Sequence, residues 1–203
     1  VDPDELTDDP YLIAVLLVPN VHGFAGVPWI ASRRKGIGRL AADYGLTGKG
    51  LDVAIGLGAG IVGLIAAGSV GLGIDALLGA EEATSNVPVD SLGSTGEIVV
   101  FAFAIALVTP VIEELFFRGL LYRSLLKRGR SVVRSTLITS AVFTLPHLTA
   151  ASTGTAVVSL SATIFTLGLA FNLAAHWTGN RLLAPIIAHM VIKGTAVIAL
   201  AVT

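Results

Sequence analysis

The stretch "TPVIEELFFRGLL", residues 109–121, sets Glu113, Glu114 and Arg118 inside a run that is otherwise nearly all apolar. If that run crosses a bilayer, each charge near its middle costs about 2.5–3.5 kcal/mol on insertion scales, so the two carboxylates need partners or a purpose. Glu114 and Arg118 are four residues apart and share a helix face, the spacing of an intrahelical ion pair. Glu113 is rotated by about 100° from its neighbour and is left to face something else.

The rest of the chain supports a bilayer setting. Its 203 residues are 54% hydrophobic and only 13% charged, with a mean hydropathy of +0.83, too apolar for an ordinary soluble domain. A span takes roughly 20 apolar residues. Apolar runs at 11–31, 51–79, 98–122, 132–150, 155–177 and 181–203 therefore predict an all-α, polytopic transmembrane bundle of about six spans. Residues 1–203 read as one membrane domain. The first run carries Pro19, Pro28 and His22 and is expected to be kinked or partly interfacial. The acidic "VDPDELTDDP" before it lacks the basic start of a signal peptide. Gly56 and Gly60, four apart in the second run, read as a close helix-packing stripe.

Charge is distributed by connection. Arg33, Arg34, Lys35, Arg39 and Lys49 follow the first run, Arg123, Lys127, Arg128, Arg130 and Arg134 follow the third, and Arg181 follows the fifth. The alternate connections have no Lys or Arg, and residues 80–97 are acidic. The positive-inside rule puts the basic connections in the cytoplasm and both ends of the chain outside it. These basic runs are topology determinants first and anionic-lipid contacts second; the chain is not expected to bind nucleic acid. The absence of cysteine excludes disulfides, thiolate nucleophiles, zinc-thiolate sites and iron–sulfur clusters.

Other polar groups lie at helical depth. His147 follows Phe143 by four residues with Pro146 between them, His189 precedes Lys193 by four, and Asn172 precedes His176 by four. A carboxylate and a neutral imidazole on dry helices can take a proton from water, and a second imidazole, amide or ammonium can stabilise the oxyanion formed when that water adds to a peptide carbonyl. HExxH, the GxSG of rhomboid-like serine proteases and the GxGD of intramembrane aspartyl proteases are all missing. The groups left for chemistry are Glu and His. Asn172 is balanced between interhelical hydrogen bonding and cavity lining, and His22, His176 and Trp177 read as interfacial or packing residues.

These residues resemble the intramembrane CPBP family, which includes the type II CAAX prenyl endopeptidases and bacteriocin-processing or self-immunity proteins. Its EExxxR motif matches "EELFFR", Glu113 to Arg118, followed by Gly119; its FxxxH motif matches "FTLPH", Phe143 to His147; its closing HxxxN motif resembles "HMVIK", with Lys193 where Asn or Asp is usual. The resemblance covers residues 95–200, including the approach "GNRLLAPIIAH". It implies an intramembrane endopeptidase acting on a membrane-associated protein or peptide that is lipidated in one branch of the family, with its site open toward the cytoplasm, as the nearness of Glu113 to the basic end of the third run also suggests; the short loops and few spans read as prokaryotic. Glu113 and His147 would activate water and His189 would help form the oxyanion hole, with Glu114 and Arg118 supporting them. Metal-independent and metal-dependent hydrolysis both stay open, because Glu113, His147 and His189 could supply three ligands to Zn. The Lys193 ammonium is expected to replace the usual amide as oxyanion donor and to pair with the carboxylates at rest. Two other readings use the same residues: a non-catalytic interaction or bacteriocin-immunity protein that keeps the fold, and a proton-coupled transporter.

Overall fold

The computed structural model describes residues 22–79, 95–150 and 154–201. A wide turn at His22–Gly26 leads into α1 (Val27–Lys35); α2 (Leu40–Tyr44) is one short turn; α3 (Gly50–Leu78) is long and unbroken. Next comes α4, which starts as Thr95–Phe103 and runs through Ala104–Val108, Thr109–Glu114 and Leu115–Tyr122 to Arg123–Lys127. Then follow α5 (Val132–Thr144) with a tight 3₁₀ extension (Leu145–Ala150), α6 (Gly154–Trp177) and α7 (Leu183–Ala201). The bundle is all-helical among the described residues, as expected. Among the described residues, Gly50–Leu78, Val99–Lys127 and Gly154–Trp177 are long and apolar enough to cross a membrane, with α7 a shorter apolar helix. Most of the first expected span and the acidic 80–94 connection lie outside the described residues.

Small residues set the helix spacing. Gly56, Gly60, Gly63, Ala67 and Gly71 are the buried positions along the membrane part of α3. A Cβ on Gly56 would lie 2.7 Å from the Ala184 carbonyl oxygen, and one on Gly60 2.9 Å from Val191 Cβ. Glycine is what lets α3 and α7 approach this closely. Gly168 does the same for α6 against Ser140 of α5, at 2.9 Å. The opposite face of α3 shows Ile61, Val62, Ile65 and Leu72, the side chains that hydrocarbon would solvate.

The basic ends are tied together by polar contacts. Arg181 donates to both oxygens of Asp52 at 2.7 and 2.6 Å, pinning the α6–α7 connection to the first turn of α3. Asp52 also accepts from the Lys49 backbone N–H at 2.9 Å, which caps α3. Tyr44 donates to the Pro28 carbonyl, Arg123 to the Asp43 carbonyl, and the Leu182 N–H to the Gly45 carbonyl. Gly45 has φ +73°, and a Cβ there would meet the Asn180 carbonyl oxygen at 2.7 Å, so both conformation and space call for glycine.

Two expectations change. The run 132–150 is not one α-helix: it tightens after Thr144, where Pro146 lacks the N–H that would continue the ladder. The third run continues to Lys127, an extension its sequence allows, and Glu113 then lies at the midpoint of Val99–Lys127 rather than close to the basic end.

Candidate active site

The motif helix α4 is not uniformly wound. Ala104–Val108 and Leu115–Tyr122 are π-helical, flanking the α-helical Thr109–Glu114 that carries both carboxylates. Such widening is frequent at functional sites. Pro110 sits at the start of the central segment, and the Thr109 hydroxyl donates back to the Ile105 carbonyl at 2.8 Å.

Glu114 and Arg118 are both 0% exposed and meet at 2.9 Å, Arg118 Nη1 donating to Glu114 Oε1. The second guanidinium nitrogen donates to the Gly168 carbonyl on α6 at 3.1 Å. The guanidinium carbon lies 4.7 Å from the Phe143 ring centroid and 5.0 Å from that of Phe171, within cation–π range. Arg118 therefore joins α4, α5 and α6.

His189 bridges the two carboxylates. Its Nδ1 is 2.9 Å from Glu114 Oε1 and its Nε2 is 3.8 Å from Glu113 Oε2. The ring stacks on Phe171 with centroids 4.7 Å apart and meets Phe143 edge-on at 5.8 Å. With Glu114 charged opposite Arg118, a neutral His189 carries its proton on Nδ1 and turns the Nε2 lone pair toward Glu113. Glu113 keeps 14% of its side chain exposed, and its Oε2 is buried with no hydrogen-bond partner among the described residues.

Glu113 opens onto a cavity of about 190 Å³ that His147 and Lys193 also line. Phe24, Thr109, Phe117 and Pro146 complete most of its wall. His147 Nδ1 is 2.9 Å from the Phe143 carbonyl; since a carbonyl only accepts, Nδ1 bears the proton and Nε2 is the free acceptor. Lys193 departs from expectation. None of the ion pairs among the described residues includes it; its side chain lines the cavity together with Glu113.

Asn172 is buried and donates to Ser140 Oγ at 3.0 Å and to the Gly168 carbonyl at 2.9 Å, joining α5 to α6 rather than lining the cavity. Phe143 packs between Phe117, His147, Phe171 and His189, so the first residue of its motif is the aromatic hub of the site. His176 and Trp177 are exposed. Sequence reasoning did not single out Thr109, Phe24, Phe171 or the Gly168 carbonyl. Thr109 had a signal, four residues before Glu113, whereas a backbone acceptor has none.

Glu113, His147 and His189 are the residues that could supply three ligands to Zn. Among the described residues no three His, Asp or Glu side chains are arranged to hold a metal ion, and the Lys193 ammonium lines the same cavity, where it opposes a second cation.

The family model described as type II CAAX prenyl endopeptidase Rce1-like matches residues 95–195, about half of the chain. The membrane-embedded CAAX protease MroQ of Staphylococcus aureus (strain USA300) is 31% identical over 107 residues, covering 50% of this chain and 40% of MroQ. No solved structure matches the chain. The matched region holds all three motifs together with Glu113, His147, His189 and Lys193, and on that basis the chain belongs to the CPBP family of intramembrane proteases.

Proposed function

We propose that this chain is an intramembrane endopeptidase that hydrolyses a peptide bond of a membrane-associated protein or peptide with water activated by Glu113 and His147. The observation that carries this reading is the cavity in which Glu113, His147 and Lys193 meet, with His189 held between Glu113 and Glu114. Water in the cavity loses a proton to Glu113 or His147 Nε2 as its oxygen adds to the substrate carbonyl. The oxyanion is met by the Lys193 ammonium, in the position where the family usually has an amide. A proton taken by Glu113 has His189 Nε2 as its neighbour; the imidazolium so formed is stabilised by Glu114 through Nδ1–H and becomes a second oxyanion donor. Collapse breaks the C–N bond, the leaving nitrogen takes the proton, and an acid and an amine result. No step needs a metal, so metal chelation should leave turnover unchanged.

The basic connections face the cytoplasm of a prokaryotic cell in this proposal, and substrate reaches the cavity from that side. A chain without cysteine makes the side testable: a single cysteine at Thr109 should react with an impermeant maleimide only in inside-out vesicles. Activity is tested by comparing protein termini in membranes holding equal amounts of wild type or Glu113→Gln. New termini only with wild type establish proteolysis and identify substrates. Indistinguishable termini, with the wild type otherwise functional, favour the non-catalytic scaffold; loss of proton-coupled flux without new termini favours transport.

A further inference from the structure

A second concavity lies at the basic end of the bundle, between α1 and the last turns of α4, with a volume of about 550 Å³. Its floor is apolar, formed by Val27, Ile30 and Ala31 on one side and Leu120 on the other, with the Ser124 hydroxyl nearby. Four cations line it: Arg34 and Lys35 end α1, Lys127 ends α4 and Arg128 follows as its C-cap. None of the four is in an ion pair among the described residues. Both helices present their carbonyl ends here, each worth about half a negative charge, which leaves the mouth with a net charge of about +3. Arg33 points elsewhere, 5.3 Å over the Trp29 ring. Trp29 is 51% exposed, as suits an aromatic at the membrane interface.

We infer that this groove binds one anionic phospholipid, its phosphate among Arg34, Lys35, Lys127 and Arg128 and an acyl chain along Val27, Ile30 and Leu120. The polarity runs along the groove as it runs along a lipid, charged at the aqueous end and apolar toward the bilayer centre. An extended peptide fits less well, because both walls are helices whose backbone groups are already bonded and no strand edge is on offer. A hydrocarbon chain needs none. The inference does not depend on hydrolysis and stands or falls separately from the proposed activity.

The test is native mass spectrometry of the whole chain with phosphatidylglycerol or phosphatidylcholine of identical acyl chains. Wild type should retain one phosphatidylglycerol in preference to phosphatidylcholine. Arg34→Gln/Lys127→Gln should lower that retention at least tenfold, while Arg130→Gln/Arg134→Gln, which removes the same charge outside the groove, should change it less than twofold. Glycerophosphate without acyl chains should fail to displace the lipid. Equal losses in the two double variants would reduce the effect to general surface charge and overturn the site. So would the absence of a headgroup preference, or displacement by glycerophosphate at matched concentration.

Discussion

Replacing Arg118 with methionine tests whether the buried pair is the structural keystone of the site. Both side chains are fully buried, so Arg118→Met leaves the Glu114 carboxylate without its cation and the Gly168 carbonyl with Asn172 as its remaining side-chain donor. Breaking a buried pair from one side costs about 3–5 kcal/mol. At about 2–4 °C per kcal/mol for a chain of this size, the unfolding midpoint should fall by about 6–20 °C. The companion Glu114→Gln/Arg118→Met removes both charges, and its amide oxygen still accepts from His189 Nδ1. Neutralising a buried pair as a unit is often close to neutral, so the double variant should regain at least half of the loss. The assay is thermal unfolding in matched nanodiscs, followed by tryptophan emission and helical circular dichroism. A single variant as stable as wild type, or a double variant no better than the single, would refute the assignment of Arg118 as the countercharge.

Lys193→Met should lower kcat by about 10²–10³, the cost of losing one oxyanion donor, with little change in KM, while Lys193→Asn should retain more activity; unchanged kinetics in Lys193→Met would remove the ammonium from the mechanism. Gly56→Ala should destabilise by about 1–3 kcal/mol through overpacking against Ala184 and Ile187, whereas Gly58→Ala, which meets nothing within 4 Å, should stabilise by about 0.5–1 kcal/mol through helix propensity; denaturation midpoints of the pair decide this. At the basic face, the Ser32 hydroxyl and then the Ile37 N–H hold the Asp43 carboxyl below its ordinary value. A lowered carboxyl stabilises above the unfolded value of about 3.9 and loses that contribution as pH falls through the lower folded value. Protection of the Ile37 amide from hydrogen exchange, corrected for intrinsic rate, should therefore hold from neutrality to about pH 4 and fall in stronger acid, and Asp43→Asn should abolish the transition.

Much of this arrangement follows from short-range spacing. The Glu114–Arg118 contact is an i,i+4 relation that any helix enforces, and the glycines of α3 fall on one face because their separations match the helical repeat. What spacing does not carry is the register between helices. That Arg118 reaches the Gly168 carbonyl, or that Phe171 stacks on His189, depends on how α6 lies against α4 and α7, and a backbone oxygen leaves no mark in composition. The same limit explains Lys193. Its distance from His189 along α7 puts both at the site, but whether it pairs with a carboxylate depends on how α7 lies against α4. The tightening after Thr144 had a visible cause in Pro146, whereas the π-helical widening of α4 has none in residue type.

The charges of the site also explain why lysine is compatible with a position usually held by an amide. Arg118 neutralises Glu114 within the dry core, and His189 adds no net charge while neutral. That leaves Glu113, the proton acceptor of the proposed mechanism, whose charge at mid-helix needs a counterion nearby. An amide at position 193 would leave the pocket with a net charge of −1. Lysine brings it to zero without direct contact, since Lys193 and Glu113 line the same cavity but do not pair. Because the two do not pair, the proposed mechanism has both the Glu113 carboxylate, 14% exposed, and the ammonium available in one cavity. A tight pair would satisfy both charges and silence the pair chemically; a shared cavity keeps the balance and both functional groups.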